Sequence, residues 1–314
     1  MTDLPILRSI LSVPGLRQRF IDKALSVPAD IILLDLEDSV PPARKAEARE
    51  RVQASIEPFD KRGRLLFVRP NDLATGLLEA DLAAVVQPGL DGIHLPKTHN
   101  SAVLRQVDHY LTLLERTRGL AAGSVRIIAW IESAEGIANV ESICRSSPRL
   151  IGASMGAEDY ATSLGVMRTR EGREIEFARA RLANAAMAAG LVPIDCPEPD
   201  YQDLAHFERD ITHARALGYR GKYCIHPAQV SIANRVFSPS GSQLTWAKRV
   251  VDAYEAAEQQ GLGAVGLDGA MVDRPIYQRA LDLLRWSSEI ALRPPVAAQS
   301  SAAVRSTLSE RPAQ

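Results

Sequence analysis

Short apolar runs alternate along the chain with longer segments in which apolar residues recur every three to four positions. The runs at 9–13, 31–36, 65–69, 92–96, 126–131, 150–155, 192–196 and 222–225 have the length of strands. Segments 43–56, 77–86, 102–116, 136–144, 173–189 and 204–217 lie between them and carry the 3.6-residue recurrence of helices with one buried face. Pro41-Pro42 is a favourable opening for the first of these helices. Gly190 and Gly218 close the last two, where a left-handed residue is wanted. A strand–helix unit repeated in this way predicts an α/β fold of the TIM (β/α)8 barrel type. An open doubly wound sheet would need a glycine-rich phosphate loop after the first strand, and Ser12-Val13-Pro14-Gly15 is not one.

The repeat ends near Phe237, and Ser238-Pro239-Ser240-Gly241-Ser242 reads as a linker. Helices are expected at 245–258 and 275–292, with a glycine-rich turn between them. The expected division is a barrel over 1–237, a C-terminal helical lid or oligomerisation segment over 238–292, and a tail over 293–314. The tail is rich in Ala, Ser and Pro, a composition that predicts disorder.

Composition narrows the class without naming a chemistry. Lys plus Arg number 37 against 38 Asp plus Glu, with no basic stripe, which argues against a nucleic-acid partner. No stretch approaches the roughly 18 apolar residues of a membrane span, and residues 1–10 lack the apolar run of a signal peptide. Cys144, Cys196 and Cys224 show no metal-ligand spacing, so they read as reduced thiols of a cytoplasmic protein.

The chemistry is concentrated where the strands end, because that face of such a barrel carries the active site. There stand Asp35-Leu36-Glu37-Asp38, Arg69-Pro70-Asn71, His94-Leu95-Pro96-Lys97, Glu132-Ser133, Gly156-Ala157-Glu158-Asp159 and His226-Pro227. Acids converging on one mouth repel each other unless a cation lies among them, and oxygen donors suit Mg²⁺ or Mn²⁺. Glu132 and Asp159 are the expected direct ligands, with Glu37 and Asp38 holding coordinated waters. Each residue also has a plainer reading. A lone Glu132 is a solvated loop residue, Arg69 a rim salt bridge, Asp38 a helix cap, Lys97 a surface lysine and His226 a structural histidine.

The chain resembles the HpcH/HpaI aldolase and citrate lyase superfamily, in the citrate lyase β-subunit-like branch that includes malyl-CoA and citramalyl-CoA lyases. The likeness runs from Arg8-Ser9 to about Asp273. Its landmarks are Leu34-Asp35-Leu36-Glu37-Asp38-Ser39-Val40-Pro41, Val68-Arg69-Pro70-Asn71, Ile131-Glu132-Ser133-Ala134-Glu135-Gly136, Gly156-Ala157-Glu158-Asp159-Tyr160 and Gly221-Lys222-Tyr223-Cys224-Ile225-His226-Pro227. The resemblance implies a metal-dependent lyase that splits a carboxylated 3-hydroxyacyl-CoA into acetyl-CoA and a 2-keto acid. It implies Mg²⁺ on Glu132 and Asp159, Arg69 on the oxygen that gains negative charge, and backbone amides of Gly156, Ala157 and Glu158 on the keto-acid carboxylate. Lys97 is the candidate contact to coenzyme A. Asp268 to Pro275 resembles the family's lid, which makes Asp273 the acid/base residue, delivered to a neighbouring subunit of a trimer or hexamer. The chain departs from its relatives at Pro70, at Ala270, where a lysine is common, and over Cys196 to Tyr201. Two other activities fit the same superfamily: the citryl-CoA or citryl-ACP lyase subunit of a citrate lyase complex, and a CoA-independent 2-keto acid aldolase.

Overall fold

The computed structural model describes residues 4–292, so the tail expected over 293–314 lies outside the described residues. Eight parallel strands close into a barrel in chain order: β1 (Ser9–Pro14), β2 (Ile31–Asp35), β3 (Leu65–Arg69), β4 (Gly92–Leu95), β5 (Arg126–Ile131), β6 (Leu150–Met155), β7 (Val192–Asp195) and β8 (Gly221–Cys224). This is the (β/α)8 barrel expected from the alternation of apolar runs, with each run within a residue or so of its strand.

Alternation along each strand separates two cores. One set, including Ile32, Leu34, Leu66, Val68, Ile127 and Ala129, packs outward under the helices. The other fills the barrel with Ile10, Ile31, Leu33, Phe67, Ile128, Val192 and Ile194, topped by Trp130 and Tyr223. The same parity carried one step further reaches Asp35, Arg69 and Glu132, which places these charged side chains above the inner core at the mouth. In that upper layer His94 bonds Ser154 Oγ at 2.8 Å and Tyr223 Oη at 2.7 Å, while Trp130 stacks on Tyr223. His94, expected at the mouth from its place in the sequence, is therefore a buried core residue. Burial, and then the nearby Arg69 charge, hold its pKa well below the ordinary value.

The seams around the barrel differ in length. β1–β2, β2–β3 and β5–β6 pair along most of their length. In contrast, β3–β4 pairs only at Phe67–Gly92 and Val68–Ile93, and β7–β8 only at Ile194–Gly221 and Asp195–Lys222. Behind the β7–β8 seam a buried ion cluster compensates. Lys222 Nζ lies 2.5 Å from Asp195 and 2.7 Å from Asp210, and Arg179 bridges the same two carboxylates at 2.7 and 3.0 Å.

Several local expectations are corrected. The helix expected over 136–144 is two short ones, Ala134–Ala138 and Val140–Cys144. The linker expected up to Ser242 ends earlier, because Ser240 and Gln243 form a capping box that starts the helix Gly241–Glu258. The glycine-rich turn beyond it is a hairpin, β9 (Val265–Leu267) and β10 (Ala270–Val272). Asp268 and Gly269 at its tip both have positive φ, the geometry of a two-residue primed turn. Hairpin, helix Gly241–Glu258 and last helix Arg274–Ala291 share a small core of Ala247, Val250, Tyr254, Val272 and Ala280. Trp286 Nε1 donates to Phe237 O at 3.0 Å and ties this segment to the end of the barrel repeat. The three cysteines are free and buried, and burial pushes the Cys144 and Cys224 thiols up to about 12. Among the described residues no helix is long and apolar enough to cross a membrane.

Candidate active site

Arg69 is not a rim salt bridge. Its side chain is buried, and both arms of the guanidinium engage Asp35, Nε to Oδ1 at 2.6 Å and Nη2 to Oδ2 at 2.7 Å. The plane lies over Trp130, 4.8 Å from the ring centroid. Burial alone would raise the Asp35 pKa, but the Arg69 charge and its hydrogen bonds outweigh that and hold it at about 2. Asp35 also accepts from the backbone N–H of Glu37 and Ser39, which folds the loop after β2 back over the mouth. Asp38 is the exposed member of this group, donated to by Arg69 Nη1 at 3.2 Å, and it does not cap the next helix.

Glu37 has a different environment. It is buried, Arg69 Nη1 stands 2.9 Å from Oε2, and yet neither carboxylate oxygen receives a hydrogen bond. Burial, then repulsion from Asp38 and Asp35 working against the Arg69 charge, lifts its pKa to about 7. Glu132 shares the problem. Burial first, and then the Glu37 and Asp159 charges, push its pKa well above the ordinary value. The Lys97 N–H, donating to Oε1 at 2.7 Å, and then the Arg69 charge oppose the shift.

A cleft of about 200 Å³ brings Glu132, Asp159, Arg69, Asp38 and Gly156 to common walls, with Ser12 and Ile225 at its side. Gly156 is required there by space. A Cβ would meet Trp130 Nε1 and the Glu132 side chain, 2.5 Å from Oε2. Trp130 Nε1 itself is buried without a hydrogen-bond partner. The Gly156 N–H, one of the three expected to meet the keto-acid carboxylate, donates to Ile131 O at 3.0 Å and extends the sheet. The amides of Ala157 and Glu158 open the helix Ala157–Ser163, where first-turn N–H groups have no intrahelical acceptor. Asp159 lies exposed in that same turn.

A cation fits this donor set. Glu132 and Asp159 line one small space, Glu132 is buried under the charges of Asp159 and of Glu37, which itself has no donor, and a divalent ion relieves both repulsion and desolvation. Among the described residues no trio of His, Cys, Asp or Glu is arranged as a metal cage. Mg²⁺ does not need one, since it takes one or two carboxylates and keeps its waters.

Lys97 and Asp273, both expected site residues, do not line this cleft. Lys97, the expected contact to coenzyme A, is part-exposed and holds its ammonium 3.9 Å from the carboxylates of Glu37 and Asp72. Asp273 does not line the cleft of its own chain, where it caps the last helix by accepting from the Ile276 N–H at 3.4 Å. His226 is the structural residue expected, capping the helix Pro227–Val236. Asp35 and Trp130 were not singled out by sequence, although the two-residue parity running back from Glu132 and from Glu37 marks both as inward-facing. A second space of about 390 Å³ adjoins the cleft, sharing Ser12 and Ile225, with Phe20, Lys23, Tyr201 and His226 among its walls.

Comparison with known proteins agrees with this picture. A family model for HpcH/HpaI aldolase/citrate lyase matches residues 8–227. The citrate lyase subunit beta of Escherichia coli K12 is 37% identical over 273 residues, 87% of this chain and 90% of that one. The L-malyl-CoA/beta-methylmalyl-CoA lyase of Cereibacter sphaeroides is 36% identical over 299 residues, 88% of this chain and 93% of its own. Among solved structures, the CitE protein of Mycobacterium tuberculosis in complex with magnesium, acetoacetate and coenzyme A superposes with a TM-score of 0.72 at 30% identity. That match covers 89% of this chain and 97% of the other.

Proposed function

The chain belongs to the HpcH/HpaI aldolase/citrate lyase family, and from that premise we propose that it is a carbon–carbon lyase acting on a carboxylated 3-hydroxyacyl-CoA such as malyl-CoA or citramalyl-CoA. The products are acetyl-CoA and a 2-keto acid, glyoxylate or pyruvate, and the reaction is reversible. The observation that carries this reading is the junction of two spaces at Ser12 and Ile225. A small acidic cleft with a fixed arginine adjoins there a larger, mostly apolar space, as suits a thioester with a polar head and a long arm. Magnesium in complex with the Mycobacterium tuberculosis relative supports the metal, and coenzyme A in the same complex supports the groove.

Glu132 and Asp159 would hold the Mg²⁺ directly, with Glu37 and Asp38 on its waters. Bound there, the ion supplies Lewis-acid polarisation of the substrate's hydroxyl and carboxylate oxygens. The bond between the hydroxyl-bearing carbon and the carbon next to the thioester breaks. The hydroxyl passes its proton to solvent water as it becomes a carbonyl, and the electron pair remains on the thioester side as an enolate. Arg69, aimed by Asp35 and packed on Trp130, stabilises negative charge on oxygen without reorganising. The first-turn amides of Ala157 and Glu158 receive the keto-acid carboxylate. Asp273 of a neighbouring subunit protonates the enolate carbon, so the active form is an oligomer in which the lid segment 238–292 crosses between subunits. Lys23, on the groove wall, takes the place beside coenzyme A that the sequence reading gave to Lys97.

The test is a product assay with Mg²⁺ on malyl-CoA, citramalyl-CoA and citryl-CoA separately, with EDTA controls. EDTA-sensitive release of acetyl-CoA with the matching keto acid is the expected result. Cleavage of none of the three would transfer the function to a CoA-independent aldolase or to a partner-dependent citrate lyase subunit.

A further inference from the structure

Lys97 adopts the left-handed backbone region, φ 48°, which side-chain-bearing residues rarely enter. Its surroundings show what that conformation achieves. The chain leaving β4 lays two consecutive amides on β5: Thr98 N–H donates to Trp130 O at 3.0 Å, and Lys97 N–H donates to Glu132 Oε1 at 2.7 Å. Thr98 Oγ1 fastens the same turn to Leu95 O at 3.1 Å. The ammonium end makes no such bond, standing 3.9 Å from Glu37 and from Asp72. What reaches the buried carboxylate is the main chain, and the left-handed turn at Lys97 lets its N–H bond Glu132 while the next N–H, of Thr98, bonds Trp130 O.

We propose that Lys97 is a positioning residue whose left-handed main chain delivers its N–H to Glu132 and sets that carboxylate for the divalent ion. This rests on the reading of Glu132 as a metal ligand. An N–H on one oxygen fixes the side-chain rotamer, favours the charged form and leaves the other oxygen turned toward the Gly156 gap. The side chain beyond Cβ is then dispensable for metal binding, whereas the backbone angle is not.

The two can be separated by substitution. Lys97→Gly removes the ammonium and accepts positive φ freely, while Lys97→Val keeps an N–H but resists that region. Titration of the substrate-free protein with Mn²⁺, read by electron paramagnetic resonance, should give the glycine variant an affinity within about threefold of wild type. The valine variant should bind at least about tenfold more weakly. Thermal melting followed by circular dichroism checks that each variant is folded. Where the valine variant does not fold, Lys97→Asn, which tolerates the left-handed region, is compared with Lys97→Ala, and asparagine should bind the more tightly. Equal affinities in either pair, or a glycine variant as weak as valine, would overturn the proposal and leave the metal site standing. Failure of the wild type to bind Mn²⁺ would remove the metal assignment itself, and the proposal with it.

Discussion

Arg69 and Asp35 form a buried two-pronged pair inside the mouth of the barrel, with both contacts at or below 2.7 Å. Replacing Asp35 leaves the guanidinium without its fixed counter-charge. Asp35→Asn is expected to cost about 3–5 kcal/mol in urea denaturation and to lower turnover by misaiming Arg69. The acid limb of stability tests the same pair. The folded-state pKa of about 2 lies below the ordinary 3.8, so the stabilisation is complete above pH 4 and fades as pH falls through about 2. The variant should lack that part of the acid dependence.

Glu37 has the opposite sign. Its folded-state pKa of about 7 exceeds the ordinary 4.5, so the folded protein favours the protonated acid and is penalised progressively as pH rises between those values. Without metal, Glu37→Gln should raise stability above pH 7 by on the order of 3 kcal/mol and by nothing measurable below pH 4. Denaturation curves of the two proteins at pH 4, 6 and 8 check this. Added Mg²⁺ should raise the melting temperature of the wild type more at pH 8 than at pH 6, because binding requires the ionised acid.

Glu132→Ala and Asp159→Ala should each abolish EDTA-sensitive turnover while keeping the circular dichroism spectrum of the wild type. Neither side chain holds the barrel together: Glu132 is a buried acid under repulsion, and Asp159 is exposed. Wild-type turnover in either variant would rule out the ligand assignment.

Asp273 has a structural task as well as a proposed chemical one, and two variants distinguish them. Asparagine caps a helix about as well as aspartate, so Asp273→Asn should keep the melting temperature and lose most turnover. Asp273→Ala should lose turnover and also about 1 kcal/mol of stability. Normal turnover in the asparagine variant would exclude proton transfer by this residue.

The barrel was legible because parallel strands covered on both faces appear as unbroken apolar runs, and each run here is bounded by polar loops. The mouth was legible for a related reason: Glu132, Asp159, Glu37 and Arg69 are charges placed where such runs stop. What stayed hidden depends on neighbours in space. The helix Gln18–Ala24 buries only Ile21 and Ala24, too little for a period to emerge. Trp130 sits within an apolar run, and only its parity with Glu132 shows that it supports the site. That the Gly156 amide is already committed follows from its register beside Ile131, which no local pattern records. The direction of the Lys97 side chain follows from one backbone angle and two distant carboxylates. The hairpin had a signal, Asp268-Gly269 between short apolar stretches, that a reading for turns alone passes over.

The two short seams, β3–β4 and β7–β8, divide the ring into equal arcs. One arc, β8 through β3, carries Asp35, Glu37 and Arg69, and the other, β4 through β7, carries Lys97, Glu132 and Gly156, with Asp159 just beyond β6. The arginine thus comes from one arc and the proposed metal carboxylates from the other, so the distance between them is set across the ring, by packing such as Arg69 over Trp130, and not within one run of neighbouring strands.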